Sequence, residues 1–299
     1  METENYYHLF ANGDDARNFI TTNAEFVSAF NRFAVCAHMS GAEVLSFSVE
    51  DTHPHALIWG TFEKCQRFML LYESLSLKSI AVRRGSTDGV NLHCELYRID
   101  DAQYLKNAAA YTIVQATKDG KAVMPYDYKF GTGALYFRPE HTVLPWMICD
   151  DGTVAHPSPL GSLTIREQRM ICGTKVPMPG NWLVCNGFIL PTNYVDIKGF
   201  EDIFHTHNCF RVYLSSNKKK NEEIMSVMSE VRGINLEDME ARRLCSESCK
   251  ELFGKDSPRH LPADKRLSLA RAMRRQYHIS FRQLSSLVRI PESELRKYI

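Results

Sequence analysis

Apolar residues along this chain recur at two spacings, and the spacing changes element by element. Residues 5–11 (NYYHLFA) form a short apolar run followed by Gly13-Asp14-Asp15, which reads as a strand and its stop. In TTNAEFVSAFNRFAVCAHMSG the apolar positions Phe26, Phe30, Phe33 and Ala37 fall three or four apart, on one face of a helix. Thr22 or Asn23 supplies its cap and Gly41 its end. EVLSFSVE alternates as a half-buried strand, and HPHALIWG reads as its partner across Asp51-Thr52. A second helix is predicted from about Thr61 to Arg83-Arg84-Gly85. VNLHCELYRI then alternates as another strand. DAQYLKNAAAYTIVQATKDG is filled with alanines, capped by Asp101 and ended between Lys118 and Gly120, so it predicts a third helix.

The order β-α-β-β-α-β-α predicts an α+β fold. It is a ferredoxin-like antiparallel sheet with helices on one face, one further helix, and a largely helical C-terminal extension. Such a sheet leaves its other face open to a ligand, although no function follows from the fold itself. Residues 139–214 are rich in Pro and Gly with short apolar runs such as NWLVCNGFILP, to which no chemistry is assigned. SSNKKKNEE, at 215–223, reads as an exposed connection. Helical patterning resumes in EEIMSVMSEVRG and LEDMEARRLCSESCKELFG. After KDSPRHLP it continues as ADKRLSLARAMRRQY, SFRQLSSLV and PESELRKYI. The expected organisation is a first domain over 1–140, an extension over 141–257 that is loop-rich and then helical, and a helix-turn-helix-like segment over 258–299.

Composition narrows this picture little. The chain is 44% hydrophobic and 24% charged, as ordinary soluble proteins are. FMLLY is typical of its longest apolar runs, so no membrane span is expected. METENYYHLF has neither a basic nor an apolar leader region, and the nine cysteines are scattered and odd in number. A cytoplasmic protein with reduced thiols is expected. The net charge of +1 does not mark a nucleic-acid partner, but its distribution does. From Arg259 onward ten basic residues face only Asp264, Glu292 and Glu294, a local basic patch suited to phosphate or to a solvated helix face.

Candidate chemistry begins at SVEDTHPHALIWG. On a strand, His53 and His55 project to one face, close enough to share a cation; equally, they could be polar residues at a strand edge. Pro54, lacking an N–H, suits a strand start or an edge. On the third helix Tyr111 and Gln115 are four apart and share a face. Beside the histidines they would form a nucleophile with three metal ligands, His53, His55 and Gln115; alone, they read as a core aromatic and its neutral neighbour. Tyr104 is a competing nucleophile, but Ala108 stands where an amide would be needed. His205-Thr-His207 with Cys209, Cys245 and Cys249 competes as a metal cluster, at spacings that match no common zinc site. Scattered core and loop residues are the better reading there.

Together these stretches resemble the single-tyrosine HUH transposases, in particular the group associated with repetitive extragenic palindromes. The matching features are the opening strand Tyr7-His8-Leu9 with Gly13, the histidine pair in EDTHPHALI, and Tyr111-Thr-Ile-Val-Gln115, in that order over roughly the first 140 residues. The resemblance implies cleavage and rejoining of single-stranded or hairpin DNA through a 5′-phosphotyrosine on Tyr111. It also implies Mg2+ or Mn2+ held by His53, His55 and Gln115, although ligand softness alone points to zinc. A bacterial, nucleoid-associated transposase active in DNA recombination, and able to form a homodimer, follows from the same likeness. Pro54 departs from the bulky residue usual between the histidines, and Asn12-Gly13 from the frequent Arg-Gly. A second reading is therefore a catalytically degraded, domesticated DNA-binding regulator of the same ancestry. A third is an unrelated metalloprotein with structural histidines.

The C-terminal stretch resembles a helix-turn-helix. Phe281, Leu284, Leu287 and Val288 give one helix an apolar face, and Pro291 suits the first turn of the next. In that arrangement Glu292, Ser293 and Arg296 approach base edges, while Arg271, Arg274, Arg275, Arg282 and Lys297 supply the basic surface for phosphate. A small helical bundle without DNA is the alternative.

Overall fold

The computed structural model describes residues 3–11, 18–90, 92–118, 124–139, 142–215, 224–228, 238–277 and 279–298. They fall into two compact units, residues 1–224 and 225–299.

In the first unit, strands β1 (Asn5–Ala11), β2 (Glu43–Val49), β3 (Pro54–Gly60) and β4 (Cys94–Ile99) form one sheet in the order β2-β3-β1-β4. Neighbours pair antiparallel throughout, which is the ferredoxin-like arrangement read from the sequence. Helices α1 (Asn23–Ser40), α2 (Phe62–Arg84) and α3 (Ala102–Lys118) connect or follow the strands. Thr22 caps α1 through Glu25 N–H, and Gly41 ends it at φ +72°, a conformation that glycine adopts without strain. Thr61 caps α2, and Asp101 Oδ1 accepts from Tyr104 N–H to cap α3.

Strand alternation decides which helix meets which face. Phe47 of β2 stacks on Phe33 at 4.1 Å and meets Phe30 edge-on, and Tyr7 of β1 lies 6.3 Å from Phe62, so α1 and α2 cover one face. Ser46, next to Phe47, points the other way and bonds Thr112 of α3 at 2.7 Å. The face that the sequence reading left open to a ligand therefore carries α3. Its small residues Ala108 and Ala109 are fully buried and Ala110 nearly so, which permits close approach to the strands.

Residues 142–215, to which the sequence assigned no role, belong to this unit. They include α4 (Ile165–Cys172), α5 (Ile197–Phe204), α6 (His207–Leu214) and a small sheet of β5 (Ser158–Pro159), β6 (Leu183–Cys185) and β7 (Phe188–Ile189). Buried Asn31 of α1 donates to the carbonyls of Ile171 and Gly187 and accepts from Ile189 N–H. The outer edge of β2 is covered too. Val49 N–H donates to Phe130 O, Thr132 N–H to Phe47 O, and Asp196 N–H to Val44 O. Covering an edge removes its unpaired donors and acceptors from other chains.

The second unit comprises α7 (Asp238–Phe253), α8 (Ala263–Tyr277), α9 (Phe281–Val288) and α10 (Glu292–Tyr298). Its core is formed by Leu269, Met273, Ile279, Leu284, Val288 and Leu295, with Cys245 and Cys249 buried among them. Among the described residues no helix is long and apolar enough to cross a membrane.

One ion pair ties the start of α1 to the end of α2. Arg84 Nε and Nη2 each bond the Glu25 carboxylate at 2.7 Å, and Arg84 also donates to the carbonyls of Asn18 and Phe19. The guanidinium holds the Glu25 carboxyl down to about 2, against an ordinary 4.5. A depressed folded-state pKa contributes stability that is full above the unfolded value and lost as the pH falls. Glu25→Gln is therefore expected to lower unfolding free energy by about 2 kcal/mol at neutral pH. The gap to the parent should close between pH 4.5 and about 2, as urea titrations across that range would show.

Candidate active site

The hairpin between β2 and β3 is tight: Glu50 N–H donates to His53 O at 2.9 Å, leaving Asp51 and Thr52 at the tip. β3 begins at Pro54, a strand's first residue being where a missing N–H is tolerated. His53 thus sits in the turn and His55 one residue into an interior strand. The Nδ1 of His53 lies 2.7 Å from the Thr52 hydroxyl. That contact turns the ring so that its Nε2 comes 2.9 Å from the Nε2 of His55. The two rings are 4.6 Å apart and nearly perpendicular. An octahedral cation with bonds of about 2.1 Å sets neighbouring ligands roughly 3 Å apart, so this spacing suits two adjacent positions of such a shell. Among the described residues no group of three or more His, Cys, Asp or Glu side chains is placed to hold a metal ion. A third ligand would have to be of another type.

Tyr111 of α3 packs against His55 of this pair. Its ring meets His55 edge-on at 5.3 Å and 88°, and only 6% of the residue is exposed. Gln115, one turn further on, is also buried, and its amide Nε2 has no hydrogen-bond partner among the described residues. The two ends of an amide are interchangeable by a half-turn, so an oxygen can occupy the same point and serve a cation. The structure thus brings His53 to His55 and His55 to Tyr111, and buries Gln115 one turn along α3 from Tyr111.

His8 belongs to the same cluster, although its place in the site was not read from the sequence. It is fully buried, 5.8 Å from His55 and 6.2 Å from Tyr111 by ring centres. Its Nδ1 lies 3.3 Å from the hydroxyl of Tyr104, the competing tyrosine, whose ring also packs on Tyr97. The alternation of β1 carried the signal: His8 lies between buried Tyr7 and Leu9 and points to the opposite face. Burial holds its imidazole neutral, with its pKa down to about 3. Glu50 was also missed. Its buried carboxylate accepts from Ser48 Oγ at 2.9 Å in the hairpin that carries His53. The residues of the competing cluster are divided between the two units. His207 stacks on Phe137, and Cys245 and Cys249 lie in the core of the second unit.

In the second unit, Phe281 of α9 lies between two guanidiniums, Arg274 at 4.3 Å and Arg296 at 4.8 Å. Arg274 also donates to Ile279 O, Arg296 is paired with Glu292, and Arg271 donates to Tyr298 O. Arg282, Ser293 and Lys297 are exposed. The side chain of Arg275 lies outside the described residues, as does Gly13 of the opening motif.

No protein-family model and no curated protein matches the chain. Among solved structures, one described as a REP-associated tyrosine transposase bound to a REP hairpin is similar. Its TM-score is 0.33 with 11% identity, over 43% of this chain and 76% of that one. Similarity at that score assigns neither fold nor activity to this chain.

Because native His8 stays neutral to about pH 3 whereas an unfolded histidine takes up a proton near 6.5, stability falls as the pH drops below 6.5. His8→Phe is expected to flatten the dependence of unfolding free energy on pH between 6.5 and 4.5 by about 1.4 kcal/mol per pH unit. A slope equal to that of the parent would show that His8 ionises in the folded protein.

Proposed function

We propose that the chain is a single-tyrosine DNA strand transferase acting on single-stranded or hairpin DNA. The observation that carries this reading is the convergence of the His53 and His55 Nε2 atoms, 2.9 Å apart, beneath the edge-on ring of Tyr111. The sequence likeness to the HUH transposases supports it independently. Tyr111 Oη attacks a backbone phosphorus, forming a phosphotyrosine on the 5′ side as the bond to the 3′-oxygen breaks. The phenolic proton leaves Oη, and the departing oxygen is released as a 3′-hydroxyl. Attack by another 3′-hydroxyl reverses the step and rejoins strands without a nucleotide triphosphate, because the bond energy is kept in the intermediate.

A tyrosine hydroxyl ionises near ~10, so this attack needs electrostatic help at neutral pH. His53, His55 and Gln115 would hold Mg2+ or Mn2+, which would supply charge to polarise a phosphate and offset the charge developing on it. Thr52 fixes the His53 ring for that role, and His8 lines the site as a neutral imidazole. At 6% exposure Tyr111 needs a local opening of the site before a phosphate can reach it.

That burial, with the imidazoles bonded to each other, favours a second reading: a DNA-binding regulator whose site has become scaffold. Incubation with a labelled hairpin and Mn2+, resolved on a denaturing gel, separates the two. Strand transfer predicts a protein–DNA adduct that is absent in Tyr111→Phe and reduced on the order of 10²-fold in His55→Ala. Retention of DNA with no adduct in the parent protein assigns the regulator instead.

The basic surface of the second unit divides by its contacts. Arg282→Ala with Lys297→Ala is expected to lower the slope of log K against log salt by roughly 2 without loss of stability. Arg274→Ala is expected to lower the melting temperature, because its cation–π contact and its bond to Ile279 O are both lost. Unchanged salt dependence in the double variant would remove those residues from the DNA surface.

A further inference from the structure

The first unit contains a further concavity, beside α3. It is a cavity of about 640 Å³, within the ~300–1,000 Å³ range of small-molecule sites. Val114 and Thr117 of α3 form one wall. Tyr126, Phe137 and Phe210 supply rings, and Arg138 and Arg211 supply positive charge. Among the described residues no Asp or Glu lines it.

Its geometry is built rather than incidental. Phe137 adopts φ +55°, in a region costly for a bulky residue, and its N–H is held by the Glu201 carboxylate at 2.5 Å. Its ring packs against Phe210 at 5.4 Å and His207 at 5.9 Å. The Arg138 guanidinium rests 5.4 Å over the Tyr126 ring, which positions it at the cavity. Gly133 lines the same wall, and a Cβ there would fall 2.6 Å from Pro125 O, so only glycine lets the two segments approach.

Aromatic faces with two guanidiniums recognise a flat, anionic ligand. We propose that this cavity is a nucleotide pocket, with an unstacked base among Tyr126, Phe137 and Phe210 and its phosphate against Arg138 and Arg211. Base plus phosphate is the shared chemistry, whether the nucleotide is free or part of a single strand. The proposal rests on the strand-transferase reading only for the strand as its source. Val114 is three residues from Tyr111, under one helical turn along α3, so a base held here anchors the strand close to the candidate nucleophile.

The test uses the full chain and two probes: 2-aminopurine deoxyribonucleoside 5′-monophosphate, and a short single strand carrying 2-aminopurine. Saturable quenching of the probe by stacking is expected. Arg138→Ala with Arg211→Ala, or removal of the probe's phosphate, should each weaken binding about tenfold or more. Phe137→Gly, which suits φ +55° while deleting the ring, should weaken it about tenfold with the fold intact by circular dichroism. Quenching of the strand alone assigns the pocket to an unstacked base of DNA; quenching of the mononucleotide alone assigns it to a free nucleotide. No saturable quenching of either probe, or quenching unchanged in these variants, overturns the proposal. Tyr111→Phe should leave quenching intact, so quenching without any covalent adduct in the parent defeats only the strand-transfer reading. An adduct without quenching defeats only the pocket.

Discussion

Polar side chains under α3 govern the arrangement of the first unit. His8, Ser46, Ser48 and His55 all lie on one face of a central sheet and all are buried. An unpaired polar group in such a place costs more than a hydrogen bond returns, so each needs a partner that only the helix or the hairpin can supply. Thr112 meets Ser46, Tyr104 meets His8, and Glu50 meets Ser48. Pairing therefore sets where α3 lies, and its alanines allow the approach. The other face is ordinary aromatic packing, with Phe30, Phe33 and Phe47 fully buried. The histidines of the polar face are thereby held by the strands β1 and β3 and their hairpin.

The irregular segment after α3 closes what the sheet leaves open. Asn31 satisfies three backbone groups of that segment from within α1, so this polar residue inside a helix acts as a fastener. Residues 130–132 and 195–196 cover the edge of β2. Tyr136 and Tyr128 place their hydroxyls on the carbonyls of Leu45 and Val49 along the same strand. The same wrapping carries Tyr126, Phe137 and Arg138 to a cavity beside Val114 and Thr117 of α3. One helix thereby contributes both to the histidine cluster, through Tyr111, and to an aromatic, positively charged cavity, through Val114 and Thr117.

In the second unit the arginine clustering that suggested phosphate contact has two roles. Arg274 and Arg296 clasp Phe281 and stiffen the junction of three short helices, each of which is marginal alone. Arg282 and Lys297 remain on the surface, where charge is available to a partner. Net charge and local composition see only the sum of these roles.

Local signals determined the elements. Period-two and period-3.6 patterns marked β1 through α3, and Thr22, Thr61, Asp101 and Gly41 marked their ends, because caps and periodicity are short-range properties of the chain. Tyr111 with Gln115 was legible for the same reason, by helical spacing, whereas His53 meets His55 from the turn, with its ring set by Thr52. Tertiary structure decided the rest. It placed β1 beside β3, bringing His8 to His55 across 47 residues of sequence, and it put α3 on the sheet face that looked vacant. It also folded the Pro- and Gly-rich segment onto the edge of β2. Those outcomes depend on the burial and pairing of polar groups far apart in the chain, which no window of local sequence records.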